Sequence, residues 1–166
     1  MITTQDMVRY LTDGAKELLG DDEFDPLMMI IGADGTTAVM VLALEGMHPY
    51  DAIMAMAEKV RTKRHPVRIA LAVDTYAYMG DEQDYAEWLA SGARPSQMFA
   101  DGHPDAFEAI NITVVSVEGP DSSVVLAYER TPDGIKWGKV RDRSDSVEGR
   151  MVDAMRSMLD THRPAD

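Results

Sequence analysis

An Asp34-Gly35 step stands between two runs of apolar residues, Leu27 to Ile31 and Thr37 to Leu44. Asp-Gly so placed is among the strongest short-range hairpin signals, because both residues tolerate the positive φ that primed turns demand. The chain is thereby committed early to an antiparallel strand pair, predicted at 27–33 and 36–44.

The segments around this ribbon follow from periodicity. Met7, Val8, Leu11, Ala15, Leu18 and Leu19 recur at helical spacing over 3–19, with Thr3 or Thr4 as cap and Gly20 as stop. His48-Pro49-Tyr50-Asp51 opens a second helix, with proline in the first turn where no backbone N–H is needed. Its apolar stripe is Ile53, Met54, Met56, Ala57 and Val60, and Pro66 ends it. Val67, Ile69, Leu71 and Val73 alternate with Arg68, Ala70, Ala72 and Asp74, which predicts a strand with one apolar face. Residues 79–105 are rich in Asp, Gly, Ser and Pro and read as irregular, with a short helix at 82–91. Phe107 to Val117 and Ser122 to Arg130 are strands joined by the turn Glu118-Gly119-Pro120-Asp121. Thr131-Pro132-Asp133-Gly134 is a further turn, and Ile135 to Val140 an edge strand. A last helix at 145–160 carries Val147, Met151, Met155, Met158 and Leu159 on one side.

The predicted fold is therefore α+β, in the order α-β-β-α-β-β-β-α. A mainly antiparallel sheet of five or six strands is flanked by three helices, because most strand connections are tight turns. At 166 residues the chain suits a single domain over 1–166, with an irregular insertion at about 79–105.

That element order resembles the roadblock and profilin-like group of small α/β proteins. The resemblance covers most of the chain and implies a central antiparallel sheet with helices to its sides, in folds used mainly for interaction and scaffolding. Residues 79–105 would be an insertion in that pattern. The stretch from His65-Pro66-Val67 to Tyr76 also resembles actinobacterial or phage-encoded proteins, a resemblance that brings no function with it.

Composition removes several chemistries. There is no cysteine, so disulfides, thiolate zinc sites, iron–sulfur clusters and cysteine nucleophiles drop out. No P-loop, Gly-x-Gly-x-x-Gly, His-Glu-x-x-His or Gly-x-Ser-x-Gly motif is present. No pair among His48, His65, His103 and His162 has the close spacing of a local metal site, and no cofactor or metal is expected. Asp21, Glu23 and Asp25 alternate as hard-cation ligands do, but a calcium loop also needs a glycine turn and a distal glutamate. With no signal peptide and no run long enough to cross a bilayer, the expectation is a cytoplasmic protein without a membrane partner.

The net charge is −13 and is unevenly spread. Residues 1–58 hold 11 acids and two bases, residues 59–68 five bases and no acid, and residues 69–133 twelve acids and two bases. Such a field repels nucleic acid at long range. Lys59, Lys63, Arg64 and Arg68 nevertheless form a local candidate for anion binding, which Lys136, Lys139, Arg141 and Arg143 would join if the last strand passed nearby. The simpler account of the cluster is compensation of the helix dipole.

The stretch from Asp74 to Trp88 has more to offer, with three of the six tyrosines, one of the two tryptophans and five carboxylates. Tyr and Trp supply large contact area at small entropic cost, so Tyr76, Tyr78, Tyr85 and Trp88 are candidate partner-binding residues. Carboxylate pairs also serve acid–base chemistry, yet nothing in the sequence fixes a separation, and no catalytic residue is assigned. The leading expectation is a small interaction or ligand-binding module that self-associates as a homo-oligomer, through the Met-rich last helix or a sheet edge. The alternatives are a hydrolase or transferase with a dispersed carboxylate and histidine site, and a binder of an anionic small molecule.

Overall fold

The computed structural model describes residues 1–20, 24–92, 94–144 and 149–161. Its elements are α1 (Thr4–Leu18), β1 (Leu27–Gly32), β2 (Thr37–Val41), α2 (Pro49–Arg64), β3 (Pro66–Tyr78), α3 (Glu82–Ser91), α4 (Pro95–Ala100), β4 (Ala106–Ser116), β5 (Ser122–Thr131), β6 (Gly134–Asp142) and α5 (Arg150–Ser157). The expected α-β-β-α-β-β-β-α order holds with a fourth strand after α2, the expected short helix at 82–91 forms as α3, and α4 is added between it and β4. The six strands form one sheet in the order β2-β1-β3-β4-β5-β6, and every neighbouring pair is antiparallel.

α1 starts at a capping box. Thr3 accepts from the Asp6 amide, and Asp6 Oδ2 accepts from the Thr3 amide at 2.8 Å. The Thr3 amide and hydroxyl, both donating to Asp6 Oδ2, hold that carboxyl below its ordinary range. The buried side chains of α1 are Met7, Leu11 and Ala15, four residues apart, so one narrow stripe lies on the sheet.

The hairpin forms between β1 and β2, but not as a two-residue primed turn. Only Gly35 takes positive φ, at 83°. Asp34 instead accepts from the amide and the hydroxyl of Thr36, an Asx turn within a longer loop. α2 is capped by His48, whose Nδ1 accepts from the Tyr50 amide at 3.1 Å. It stops at His65, which adopts the left-handed conformation, and Pro66 opens β3.

Two apolar layers sandwich the sheet. Met7, Leu11 and Ala15 of α1 cover Leu27, Met29, Ala70, Ala72, Ile110, Ile112, Val114, Leu126 and Tyr128 on one side. On the other, α2 and α5 cover Met28, Ile30, Ile69, Leu71 and Val115 with Ile53, Ala57, Val60, Val152, Met155 and Met158. Strand β1 is buried on both sides, which is why its sequence is a continuous apolar run rather than an alternating one.

Three expectations need correction. β3 is not apolar on one face only: Ala70 and Ala72 are fully buried, small enough to bring α1 close to the sheet. β3 also runs four residues past Asp74, the last residue of the predicted alternation, so Tyr76 and Tyr78 are strand residues. The last helix spans Arg150–Ser157 rather than 145–160, with 145–148 outside the described residues. Its Met155 and Met158 are fully buried in the core, so that methionine face is spent within the chain.

Candidate functional site

Strand β3 carries Asp74, Tyr76 and Tyr78 on the side that faces α1 in its first half, since alternate residues share a face. The register extends this row across the sheet. Tyr76 is opposite Glu108 of β4, Glu108 opposite Tyr128 of β5, and Tyr128 opposite Trp137 of β6. Four strands thus align an aromatic ring, a carboxylate and two more rings in a single file. Cross-strand partners of this kind have Cβ atoms about 5 Å apart, within contact of one another.

Hydrogen bonds cross-link the row. The Tyr128 hydroxyl donates to Asp74 Oδ1 at 2.6 Å. Arg130 Nε donates to Glu108 Oε1 at 3.3 Å, and Arg130 Nη1 donates to the carbonyl of Gly20, just past α1. The guanidinium of Arg130 also lies 5.5 Å from the Tyr128 ring centroid. Lys16, in the last turn of α1, sits 5.4 Å above Trp137, whose ring is 5.6 Å from that of Tyr128. At the β3 end, Tyr76 meets Phe99 of α4 at 5.4 Å and Tyr78 meets His103 edge-on at 5.5 Å. A Cβ on Gly80 would meet the outer end of the Tyr78 ring, so a larger residue there would require that ring to move.

The electrostatics follow from burial. Tyr128 is 5% exposed, and burial first, then its hydrogen bond to Asp74 and the Asp74 and Glu108 charges, push its phenol far above the usual 10.0. Burial opposes the charge on Arg130, yet the hydrogen bond to Glu108 and the neighbouring Tyr128 hold its pKa above the ordinary value. The phenol therefore keeps its proton and the guanidinium its charge across the physiological range. Each charged group in the row has an opposite or hydrogen-bonding partner beside it.

The sequence candidates divide. Tyr76 belongs to this row and Tyr78 lies beside it, opposite Ala106; both are half-buried, Tyr76 against Phe99 of α4 and Tyr78 against His103. Tyr85 and Trp88 fall on α3, within the insertion, with side chains outside the described set. The four basic candidates do not form one cluster. Lys59, Lys63 and Arg64 are exposed at the end of α2, whereas Arg68 lies on β3, where its Nη1 donates to the Ile2 carbonyl at 2.8 Å. Lys136, Lys139 and Arg141 lie on β6, separated from β3 by two strands, and do not meet residues 59–68.

Arg68 instead lines a cleft of about 600 Å³ at the other end of the sheet, with Ile2, Ile31, Val67, Glu118 and Asp160. Asp160 accepts or shares a proton with His65 Nδ1 at 2.7 Å, tying the end of α2 to the end of α5. Among the described residues no three His, Asp or Glu side chains gather as a metal site. His48 and His103 each accept a backbone amide through Nδ1, and His162, Asp21 and Glu23 lie outside the described residues. Among the described residues no helix is long and apolar enough to cross a membrane.

Glu108, Tyr128, Arg130, Trp137 and Phe99 went unmarked in the sequence because they come from four separate elements. One signal was available. Glu108 stands in phase with Ile110, Ile112 and Val114, and Arg130 in phase with Val124 and Leu126, so each places a charge where the strand pattern calls for an apolar residue.

What these features define is a three-layer α+β protein with a polar and aromatic row at one end of its sheet. No protein-family model, curated protein or solved structure gives a significant match to the chain.

Proposed function

We propose that this chain is a small interaction module that binds a partner across the end of the sheet beyond α1, and that it also associates with itself. The observation that carries the proposal is the cross-strand row Tyr76, Glu108, Tyr128 and Trp137, continued by Phe99 at its rim. Rigid rings on strands give contact area with little entropy to lose, and interfaces are enriched in Tyr, Trp, Phe and Arg for that reason. Phe99 is 40% exposed although it belongs to a short helix next to the row. The insertion that carries Phe99 also holds Tyr85 and Trp88, on α3.

Proton-transfer chemistry fits the row less well. A general acid or base works best with a pKa near the ambient pH, whereas Tyr128 is driven away from it. Arg130 and Tyr128 are better suited to holding a fixed pattern of donors and charge. The cysteine-free composition suits a reducing compartment such as the cytoplasm.

The test is a tagged full-length chain used as bait in a lysate of its source cells. If the insertion belongs to the binding surface, Tyr85→Ala with Trp88→Ala should leave the melting temperature within about 2 °C of the native value and abolish capture of the partner. A fall of ten degrees or more would show these rings to be core and remove the insertion from the binding surface.

A second function rests on the cleft at the opposite end. Arg68 Nε is buried there without a hydrogen-bond partner among the described residues, and a guanidinium fork suits a carboxylate or phosphate. Titration calorimetry with inorganic phosphate should then give heat with the native chain and none with Arg68→Gln. Equal heat from both would dismiss the cleft.

A further inference from the structure

The two edges of the sheet differ in a way that makes them fit each other. Strand β2, Thr37 to Val41, contains no charged residue and no proline. Edge strands are ordinarily protected from pairing by charges, above all lysine, or by proline, and β2 lacks both. Strand β6 carries Lys136, Lys139 and Arg141 against a single acid, Asp142, and is followed by Arg143. The acidic part of the chain, with 11 acids and two bases in residues 1–58, contains β2 and its flanks.

Strand direction and face agree with this match. All five neighbouring pairs are antiparallel, and the number of strands is even, so β2 and β6 run in opposite directions. A second copy displaced along the sheet would therefore lay its β2 antiparallel to the β6 of the first, with like faces continuous. Val39 is opposite Met29 and Val41 opposite Leu27, both in the layer under α1. Val140 is opposite Leu126, in the same layer. These three valines are 41%, 51% and 57% exposed, and all lie on one face. In the displaced pair they would come together.

The geometry points to head-to-tail self-association, with the β2 edge of one copy added to the β6 edge of the next. This rests on the self-association proposed above and supplies its surface and its symmetry. The competing arrangement, β2 against β2 about a two-fold axis, also preserves strand direction and face. It sets two β2 edges, each flanked in sequence by Asp34 and Glu45 and by no base, beside each other, however, whereas β2 against β6 sets that edge beside a basic strand. A heterologous contact of this type closes into a ring or continues as a filament, according to the rotation between copies.

Light scattering coupled to size-exclusion chromatography, with analytical ultracentrifugation, tests the arrangement on the full chain. The native protein should exceed two copies as its concentration is raised, and should lose mass as sodium chloride screens the edges. Val39→Lys with Val41→Lys blocks β2, and Val140→Lys blocks β6. Each blocked chain alone should be a monomer of 18.3 kDa, with circular dichroism confirming that it is folded. An equimolar mixture should give a heterodimer of about twice that mass, because one intact β2 and one intact β6 remain. If Val140→Lys still dimerises while the β2 variant is monomeric, the two-fold arrangement holds and the head-to-tail one is wrong, with self-association intact. A native chain that stays monomeric at every concentration overturns both. Should a lysine variant fail to fold, Val39→Thr and Val140→Thr provide the same comparison, with the same single-interface dimer expected on mixing.

Discussion

The first and second halves of β3 face the same side of the sheet and are built of different chemistry. Ala70 and Ala72 are fully buried and apolar beneath α1. Asp74 and Tyr76, two and four residues further on, are half-buried and polar or aromatic. The change coincides with the end of α1, where Lys16 and the Gly20 carbonyl touch Trp137 and Arg130. Where a helix covers the sheet, apolar burial decides which residue is present. Where the helix stops, hydrogen bonds and ring contacts do. Being less buried, the second half should contribute less to stability per residue than the first, and substitutions can measure that difference.

The largest effect should come from the covered half. Leu11 is fully buried between α1 and the sheet, and Leu11→Ala should cost about 2–5 kcal/mol in urea unfolding. Ala72→Leu, which forces α1 off the strand, should cost about 1–3 kcal/mol. A loss under 0.5 kcal/mol in either would mean that α1 is not seated as described.

In the uncovered half, Tyr128→Phe removes the hydroxyl that donates to Asp74 and should cost about 1–2 kcal/mol. It should also change the response to alkali. The phenol's folded pKa lies above its unfolded value of 10.0, so the folded state holds the proton more tightly. The stability this contributes is complete below about pH 10 and falls as pH rises above it. Native protein should therefore lose stability more steeply than Tyr128→Phe between about pH 10 and 11; parallel curves would place Tyr128 outside the network. The smallest effect is expected at the rim, where Phe99→Ser should change stability by about 0.5 kcal/mol while weakening capture of the partner.

The sequence made the covered half legible and the uncovered half only partly so. Helical spacing in Met7, Leu11 and Ala15 and the apolar run of β1 report directly which surfaces are buried, because burial imposes a period. The row beyond α1 has no period of its own. It depends on a register that sets Tyr76 opposite Glu108 and Glu108 opposite Tyr128, and register is a property of pairing between distant segments. Tyr76 and Tyr78 could be named from composition, whereas their partners could not. The basic residues 59–68 illustrate the converse. Their proximity in sequence suggested one site, but a helix end and the following strand send Arg68 to a different surface.

The recognition role proposed for the row requires that its charged pair, Glu108 and Arg130, not be what holds the fold together. Glu108 and Arg130 are 12% and 28% exposed, so the pair is mostly withdrawn from water. The measurement is a urea unfolding cycle of Arg130→Met, Glu108→Met and the double variant. Arg130→Met alone strands the Glu108 carboxylate and should cost about 1–3 kcal/mol, whereas the double variant should return to within about 0.5 kcal/mol of the native chain or exceed it. A double variant no more stable than the weaker single one would show that the pair holds the fold together, and would contradict the account.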